Sequence, residues 1–125
     1  MTTWTEDELA RIHQAIELEV TSYRPDGSTR PDTTIWHVRV EDAIYLRSAR
    51  GPHNGWFRRA LASGAGRIRS GGVTKDVTFE LADPAVRQAV DAAYHAKYDR
   101  YGPGPVGAVT GPDVLETTLR VVPRN

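Results

Sequence analysis

The stretch Thr34-Ile35-Trp36-His37-Val38-Arg39-Val40, followed by Glu41-Asp42 and then Ala43-Ile44-Tyr45-Leu46-Arg47-Ser48, decides the fold. Successive side chains of an extended chain point to opposite faces. Thr34, Trp36, Val38 and Val40 therefore share one face of residues 34–40, and Ile35, His37 and Arg39 share the other. Residues 43–48 resume the alternation, with Ile44, Leu46 and Ser48 opposed to Tyr45 and Arg47. Two alternating runs joined by two polar residues read as an antiparallel hairpin.

Outward from this hairpin the same signals recur. Upstream, Val20 to Tyr23 is a short strand ended by Arg24-Pro25-Asp26-Gly27, whose Pro-Asp-Gly core favours a turn. Thr5 and Glu8 form a capping box that predicts a helix over residues 5–16, with Leu9, Ile12 and Ile16 on its inner face. Downstream, residues 55–62 read as a short helix placing Trp56, Phe57, Ala60 and Leu61 inward and stopped by Gly64. Residues 66–70 and 73–81 form a second hairpin through Ser70-Gly71-Gly72, since tandem glycines tolerate the positive φ of a tight turn. Asp83-Pro84 starts a long helix over residues 83–101, and Gly102-Pro103-Gly104-Pro105 stops it. A polar loop leads to a last strand over residues 114–122. Six short antiparallel strands closing on themselves satisfy this order, because closure removes exposed edges. No Gly-rich βαβ signature appears, which argues against a dinucleotide fold.

The length, 125 residues, predicts one domain. The formal net charge is zero, which argues against a generic nucleic-acid binder. The charge is uneven, however. Between Arg24 and Lys75 there are ten Arg or Lys against four Asp or Glu, and six against twelve elsewhere. A basic middle in a neutral chain can focus a small anionic ligand. Cysteine is absent, which excludes disulfides, thiolate metal sites and thiol nucleophiles, and fits a cytoplasmic setting. Neither a secretory leader nor a membrane span is expected.

The densest chemistry lies at Arg47-Ser48-Ala49-Arg50-Gly51, followed by Trp56-Phe57-Arg58-Arg59. A guanidinium donates to phosphate through two parallel N–H groups, and Gly51 would let the backbone approach a ligand closely. Arg58 and Arg59 sit at the front of a helix, where they oppose its dipole and so lack a local stabilising reason. A solvated strand end with ordinary ion pairs is the competing reading. Trp36 fits a core pattern or the wall beneath a flat ring, and Trp56 fits a groove or an interface. His13, His37, His53 and His95 occur singly, without metal-ligand spacing. No serine sits in a nucleophile elbow. Tyr94, Tyr98 and Tyr101 make a helical stripe suited to a core or a dimer contact, and the Gly-Pro-Gly-Pro segment beside it could form a lid.

Ile44–Gly51, Trp56–Leu61, Gly64–Gly72 and Asp76–Phe79 together resemble the DUF2255 family, a set of small uncharacterised proteins. The element order also resembles the wider split-barrel superfamily, which includes pyridoxamine-phosphate-oxidase-like flavoproteins and deazaflavin-dependent nitroreductases. That wider resemblance implies a mainly β fold with helices, a six-stranded antiparallel split β-barrel. It implies a homodimer holding FMN or a deazaflavin (F420) in a groove at or near the subunit interface. It places Arg47, Ser48, Arg50 and Gly51 at the cofactor phosphate, and Thr34 to Trp36 behind the ring. Gly27-Ser28-Thr29-Arg30 is similar to a Gly- and Arg-containing segment of the nitroreductase-like group, which adds Arg30. Trp56 and Arg58 complete the expected groove.

The leading functional expectation is a flavin- or deazaflavin-dependent oxidoreductase acting on a small organic substrate, with FMN, FAD and deazaflavin all open. The competing expectation is a noncatalytic domain that binds a small anion or serves as a dimeric interaction module. The expected partners are a second copy of the chain and a phosphorylated small-molecule cofactor, with neither nucleic acid nor membrane.

Overall fold

The computed structural model describes residues 3–124. Helix α1 (Glu6–Gln14) begins at the capping box read from sequence. The Glu8 N–H donates to the Thr5 hydroxyl at 3.1 Å, and the Thr5 N–H donates to the Glu8 carboxylate at 2.9 Å. The helix ends two residues short of the expected limit. Ile16 consequently lies past it, 45% exposed, while Leu9 and Ile12 are buried.

The strands are β1 (Leu18–Thr21), β2 (Thr33–Ile35), β3 (His37–Val40), β4 (Ala43–Leu46), β5 (Ala65–Ser70), β6 (Val73–Leu81) and β7 (Leu119–Pro123). They form one antiparallel sheet in the order β2-β1-β5-β6-β7-β4-β3. β2 and β3 lie at opposite ends of this order, yet only Trp36 separates them in the chain. The segment 33–40 therefore pairs first with β1 (Ile35 opposite Leu18) and then with β4 (His37 opposite Leu46). The sheet curls back on itself and parts at Trp36, giving a split β-barrel. The expected six strands become seven because the 34–40 run changes partners in the middle.

The sheet is covered inside the barrel, and on its outer face over β3 and β4. Inside the barrel, Leu18, Val20, Ile44, Leu46, Ile68 and Val121 pack with Trp56 and Phe57 of helix α2 (Gly55–Ser63). Outside it, Val38, Ala43 and Tyr45 pack beneath Val90, Tyr94 and Tyr98 of helix α3 (Arg87–Tyr98). All four residues of β4 are consequently buried. Leu61, expected to point inward, is 45% exposed on the outer side of α2.

The turns carry the strain the sequence signalled. Gly71 and Gly72 adopt φ +59° and +84° in the β5–β6 hairpin, and Glu41 adopts φ +56° between β3 and β4. Two expectations are corrected. The long helix is segmented, with 3-10 turns at Pro84–Val86 and Asp99–Tyr101 flanking α3. The Gly-Pro-Gly-Pro stop then continues into a short helix α4 (Pro103–Gly107). The expected strand over 114–122 begins only at Leu119, because Pro112–Thr117 forms 3-10 turns. There the Thr117 and Thr118 hydroxyls donate to the carbonyls of Val114 and Leu115, each at 2.8 Å. Such backbone bonds from hydroxyl side chains compete with strand pairing.

Candidate functional site

A groove of about 460 Å³ opens where the barrel parts. One side is the segment Thr33–Trp36 with Glu17 beside it; the other is built by Ala49, Arg50, Asn54 and Trp56. Pro105 of α4 and the following Ala108 and Val109 close a third side. The volume lies within the range of small-molecule sites.

Trp36 is the aromatic wall. Its ring stacks on Tyr98 with centroids 4.1 Å apart and planes 7° apart, and Tyr101 leans on it at 5.5 Å. The wall is anchored from behind. The Tyr94 hydroxyl donates to the Trp36 carbonyl at 3.3 Å. The Tyr98 hydroxyl lies 2.7 Å from the Ile16 carbonyl and 3.0 Å from that of His37, and accepts the His37 N–H. Burial pushes both phenols upward, so they act as neutral hydrogen-bonding groups. The tyrosine stripe is thus core at Tyr94 and Tyr98, and only Tyr101 reaches the surface.

The basic loop is knitted from within. The Ser48 hydroxyl donates to the Gly51 carbonyl, and the Asn54 side-chain amide donates to Ser48 Oγ and to the Ala49 carbonyl, both at 2.9 Å. Asn54 is the N-cap of α2, yet its side chain makes no capping bond. With no acidic residue in the first turn either, the positive end of α2 lacks a side-chain acceptor. Gly51 is buried at φ +127°, a conformation that needs glycine. Arg50 adopts φ +66°, rare for a residue with a side chain, and its N–H donates to the Ala108 carbonyl at 2.7 Å. Its side chain is exposed, lines the groove, and has no carboxylate partner among the described residues.

Arg47 sits differently from its expected place at a solvated strand end. It is only 1% exposed. Its Nε donates to Thr118 Oγ1 at 2.9 Å, Nη1 to the Asp91 carboxylate and to the Val109 carbonyl at 3.1 Å, and Nη2 to the Arg87 carbonyl at 3.0 Å. Four of its five N–H groups are therefore committed to protein acceptors. The reason is long-range: the Tyr45–Arg47 face of β4 lies under α3, which supplies Asp91 and Arg87. Arg47 reaches the groove wall as a brace, with little donor capacity left over.

Of the residues singled out by sequence, Thr34, Trp36, Arg47, Arg50 and Trp56 meet in this groove. Ser48 and Gly51 lie behind it and shape the loop. Arg30, half-buried in the connection before β2, and Arg58, exposed on α2, are not among the residues that line it. Thr33, Glu17, Asn54, Pro105 and Val109 were missed. Only Asn54, a cap residue just before a helix, and Pro105, within the suspected lid, carried a local signal. The groove lacks a nucleophile paired with a base. Its chemistry is a flat aromatic wall, one free guanidinium, hydroxyls from Thr33 and Thr34, and one carboxylate from Glu17. The Thr34 hydroxyl already donates to Glu19 at 3.0 Å and so offers its lone pairs to a ligand. Among the described residues, no cluster of three or more His, Asp or Glu side chains is placed to hold a metal ion, and no helix is long and apolar enough to cross a membrane.

The barrel, its seam and the groove at the seam define a split-barrel protein. Residues 8–121 match the family described as an uncharacterized protein conserved in bacteria (DUF2255), and the chain belongs to that family. No curated protein matches it. Solved structures carry the fold further. A putative pyridoxamine 5'-phosphate oxidase from Listeria innocua superposes with a TM-score of 0.65 at 12% identity, covering 96% of this chain and 93% of its own. An F420-H2 dependent reductase (FDR-A) gives 0.62 at 16% identity, covering 88% and 95%. A structure described as a domain-swapped dimer gives 0.62 at 16% identity, covering 94% and 87%. At these identities the likeness establishes the fold alone.

Proposed function

We propose that the chain is an oxidoreductase that holds FMN or a deazaflavin in the seam groove and acts on a small organic substrate. The observation that carries this reading is the pairing of the Trp36 wall with Arg50, a strained residue with a free guanidinium, in one groove. Backbone strain of this kind persists where surrounding structure enforces it, and it collects at ligand sites. The likeness to a pyridoxamine 5'-phosphate oxidase and an F420-H2 dependent reductase supports the same class.

The residues present fit a flat ring with one anionic handle. Trp36 backs the ring, and Thr34 faces its polar edge. Arg50 and the uncapped start of α2 meet a single phosphate. The Glu17 carboxylate opposes a second phosphate, which favours FMN or a deazaflavin over FAD. The bound cofactor supplies hydride or electron transfer. The protein's part is to orient the ring, neutralise the phosphate, and exclude water between Trp56 and Pro105. No side chain is required as a chemical base.

The same reading includes a homodimer. Leu61 and Leu81, 45% and 58% exposed, border a second groove with Phe57, Pro84 and Leu115, and its rim carries Arg87 together with Asp113 and Glu116. An apolar patch with both charge signs at its edge suits twofold self-association. Light scattering at micromolar concentration should give twice the chain mass, and a monomer alone would remove this part of the reading.

Titration with FMN, FAD and F420, followed by absorbance and fluorescence, tests the cofactor. Saturable binding of FMN or F420 with quenching of tryptophan emission is expected. Arg50→Ala should weaken it about ten- to a hundredfold, the scale of a charge-assisted bond. Folded protein that binds none of the three refutes the proposal. Phosphate binding without ring binding would support the noncatalytic anion-binding alternative instead.

A further inference from the structure

A separate groove of about 370 Å³ shares Tyr98 with the Trp36–Tyr98 stack, and Lys97 is among its lining residues. The chain has two lysines, Lys75 and Lys97. Their surroundings differ sharply. Lys75 pairs with the Glu8 carboxylate at 2.7 Å and lies over the Trp4 ring. Lys97 has no carboxylate partner among the described residues. Its Nζ donates to the His37 carbonyl at 3.1 Å and sits 5.2 Å from the Tyr98 ring centroid. His37 Nε2 is 3.2 Å away but is turned to the Ile12 carbonyl at 2.6 Å, so as an N–H donor it has no lone pair for the amine. An ammonium here would have three N–H groups and one firm acceptor.

Among the described residues, the groove is lined by no carboxylate; Gln14 is neutral, and burial with the charges of Lys97 and Arg39 pushes His13 below the usual imidazole range. His13 enters from α1, Arg39 from β3, and Arg100 from the turn after α3, with Ile16 and Val38 as the apolar wall. Arg39 is already held by both oxygens of Glu6. Arg100 has no carboxylate partner among the described residues and lies over Tyr101. Tyr98 and His37 are neutral, the latter pushed down to about 3 by burial and by Lys97 itself. Burial likewise lowers the Lys97 ammonium to about 8. At neutral pH about a tenth of this amine is unprotonated, against fewer than about one in a thousand for an ordinary lysine.

We propose that Lys97 is a nucleophilic amine that captures a small carbonyl compound bearing a carboxylate, the carbonyl forming an imine with Nζ and the carboxylate pairing with Arg100. The neutral amine adds its lone pair to the carbonyl carbon, and a proton passes from nitrogen to oxygen. The carbinolamine then expels that oxygen as water and leaves a C=N bond. One amine and one carbonyl give one imine and one water, with no oxidant or reductant.

Glyoxylate is the probe, with sodium cyanoborohydride to reduce the imine to a stable secondary amine, and the product is mapped by peptide mass spectrometry. At pH 7 labelling of Lys97 should exceed that of Lys75 by at least about tenfold, as the larger neutral fraction requires, whereas the N-terminal amine, with a similar neutral fraction, should label without saturation and without preference for glyoxylate. Labelling of Lys97 should saturate with glyoxylate and proceed faster than labelling by propanal, which has no carboxylate. Arg100→Gln, a change at an exposed position, should abolish the preference for glyoxylate and leave the propanal rate unchanged. Equal or greater labelling at Lys75 overturns the proposal, and so does labelling of Lys97 that neither saturates nor prefers glyoxylate. The readout is independent of any flavin bound in the seam groove.

Discussion

Replacing Arg47 by alanine separates a brace from a cofactor clamp. The side chain is fully buried and ties the end of β4 to Arg87 and Asp91 of α3, to Val109, and to Thr118 ahead of β7. Its removal leaves the Val109 carbonyl without its donor and leaves a void where the guanidinium lay. Breaking a buried pair from one side typically costs about 3–5 kcal/mol. Asp91 moderates this, since its side chain is 30% exposed and can rehydrate. A loss of about 3–4 kcal/mol is therefore expected, a large part of a stability of roughly 5–15 kcal/mol. For a chain of this size that lowers Tm by about 12–16 °C, at about 4 °C per kcal/mol. Asp91→Asn keeps an acceptor and loses only the charge, so it should cost about 1–2 kcal/mol. Scanning calorimetry and urea denaturation on both variants give the comparison. An Arg47→Ala protein melting within a few degrees of the parent would refute the bracing argument and return Arg47 to the list of available phosphate ligands.

Two further outcomes follow from strain and burial. Arg50→Gly removes a side chain from the left-handed region, which costs about 1 kcal/mol for a residue with a Cβ. Its Tm should hold or rise slightly while FMN affinity falls at least about tenfold, and a loss above about 1 kcal/mol would mean that the side chain is structural. His37 stays neutral in the folded protein down to about pH 3, whereas its unfolded form takes a proton below about 6.5. The unfolded state thus binds more protons in that window, and stability is lost as pH falls through it, by about 2 kcal/mol between pH 7 and pH 5. The urea midpoints of the parent and of His37→Gln at these two pH values should show the smaller drop in the variant. An equal drop would place the acid sensitivity elsewhere.

The locally encoded parts of the fold were legible. The Thr5–Glu8 box, the Gly71-Gly72 turn, the Asp83-Pro84 start and the Gly64 stop each depend on a few neighbouring residues, and each stands where the chain signals it. Contacts across the chain were not. Nothing near Arg47 announces Asp91, which arrives on a helix 44 residues later. Alternation over 114–122 suggested a strand, yet threonine hydroxyls bonding three residues back hold its first half in tight turns. The site was legible in the same proportion. Its strand and loop residues stood out by type, while Glu17, Thr33 and Val109 enter only through packing.

The run from Thr34 to Val40 shows why fold and site arise together. Its alternation is unbroken, so the sequence marks one strand. The break comes from an exchange of neighbours: Ile35 is the last residue paired with β1, and His37 the first paired with β4. A residue between two partners has no ladder bond to either side, and its backbone must be satisfied otherwise. The Trp36 carbonyl accepts from the Tyr94 hydroxyl, and its ring lies on Tyr98, so α3 takes over the work of a neighbouring strand. The same parting that interrupts the ladder opens the groove beside Trp36. Because the residue at the parting is a tryptophan, the seam that splits the barrel is also where an aromatic ring faces the groove.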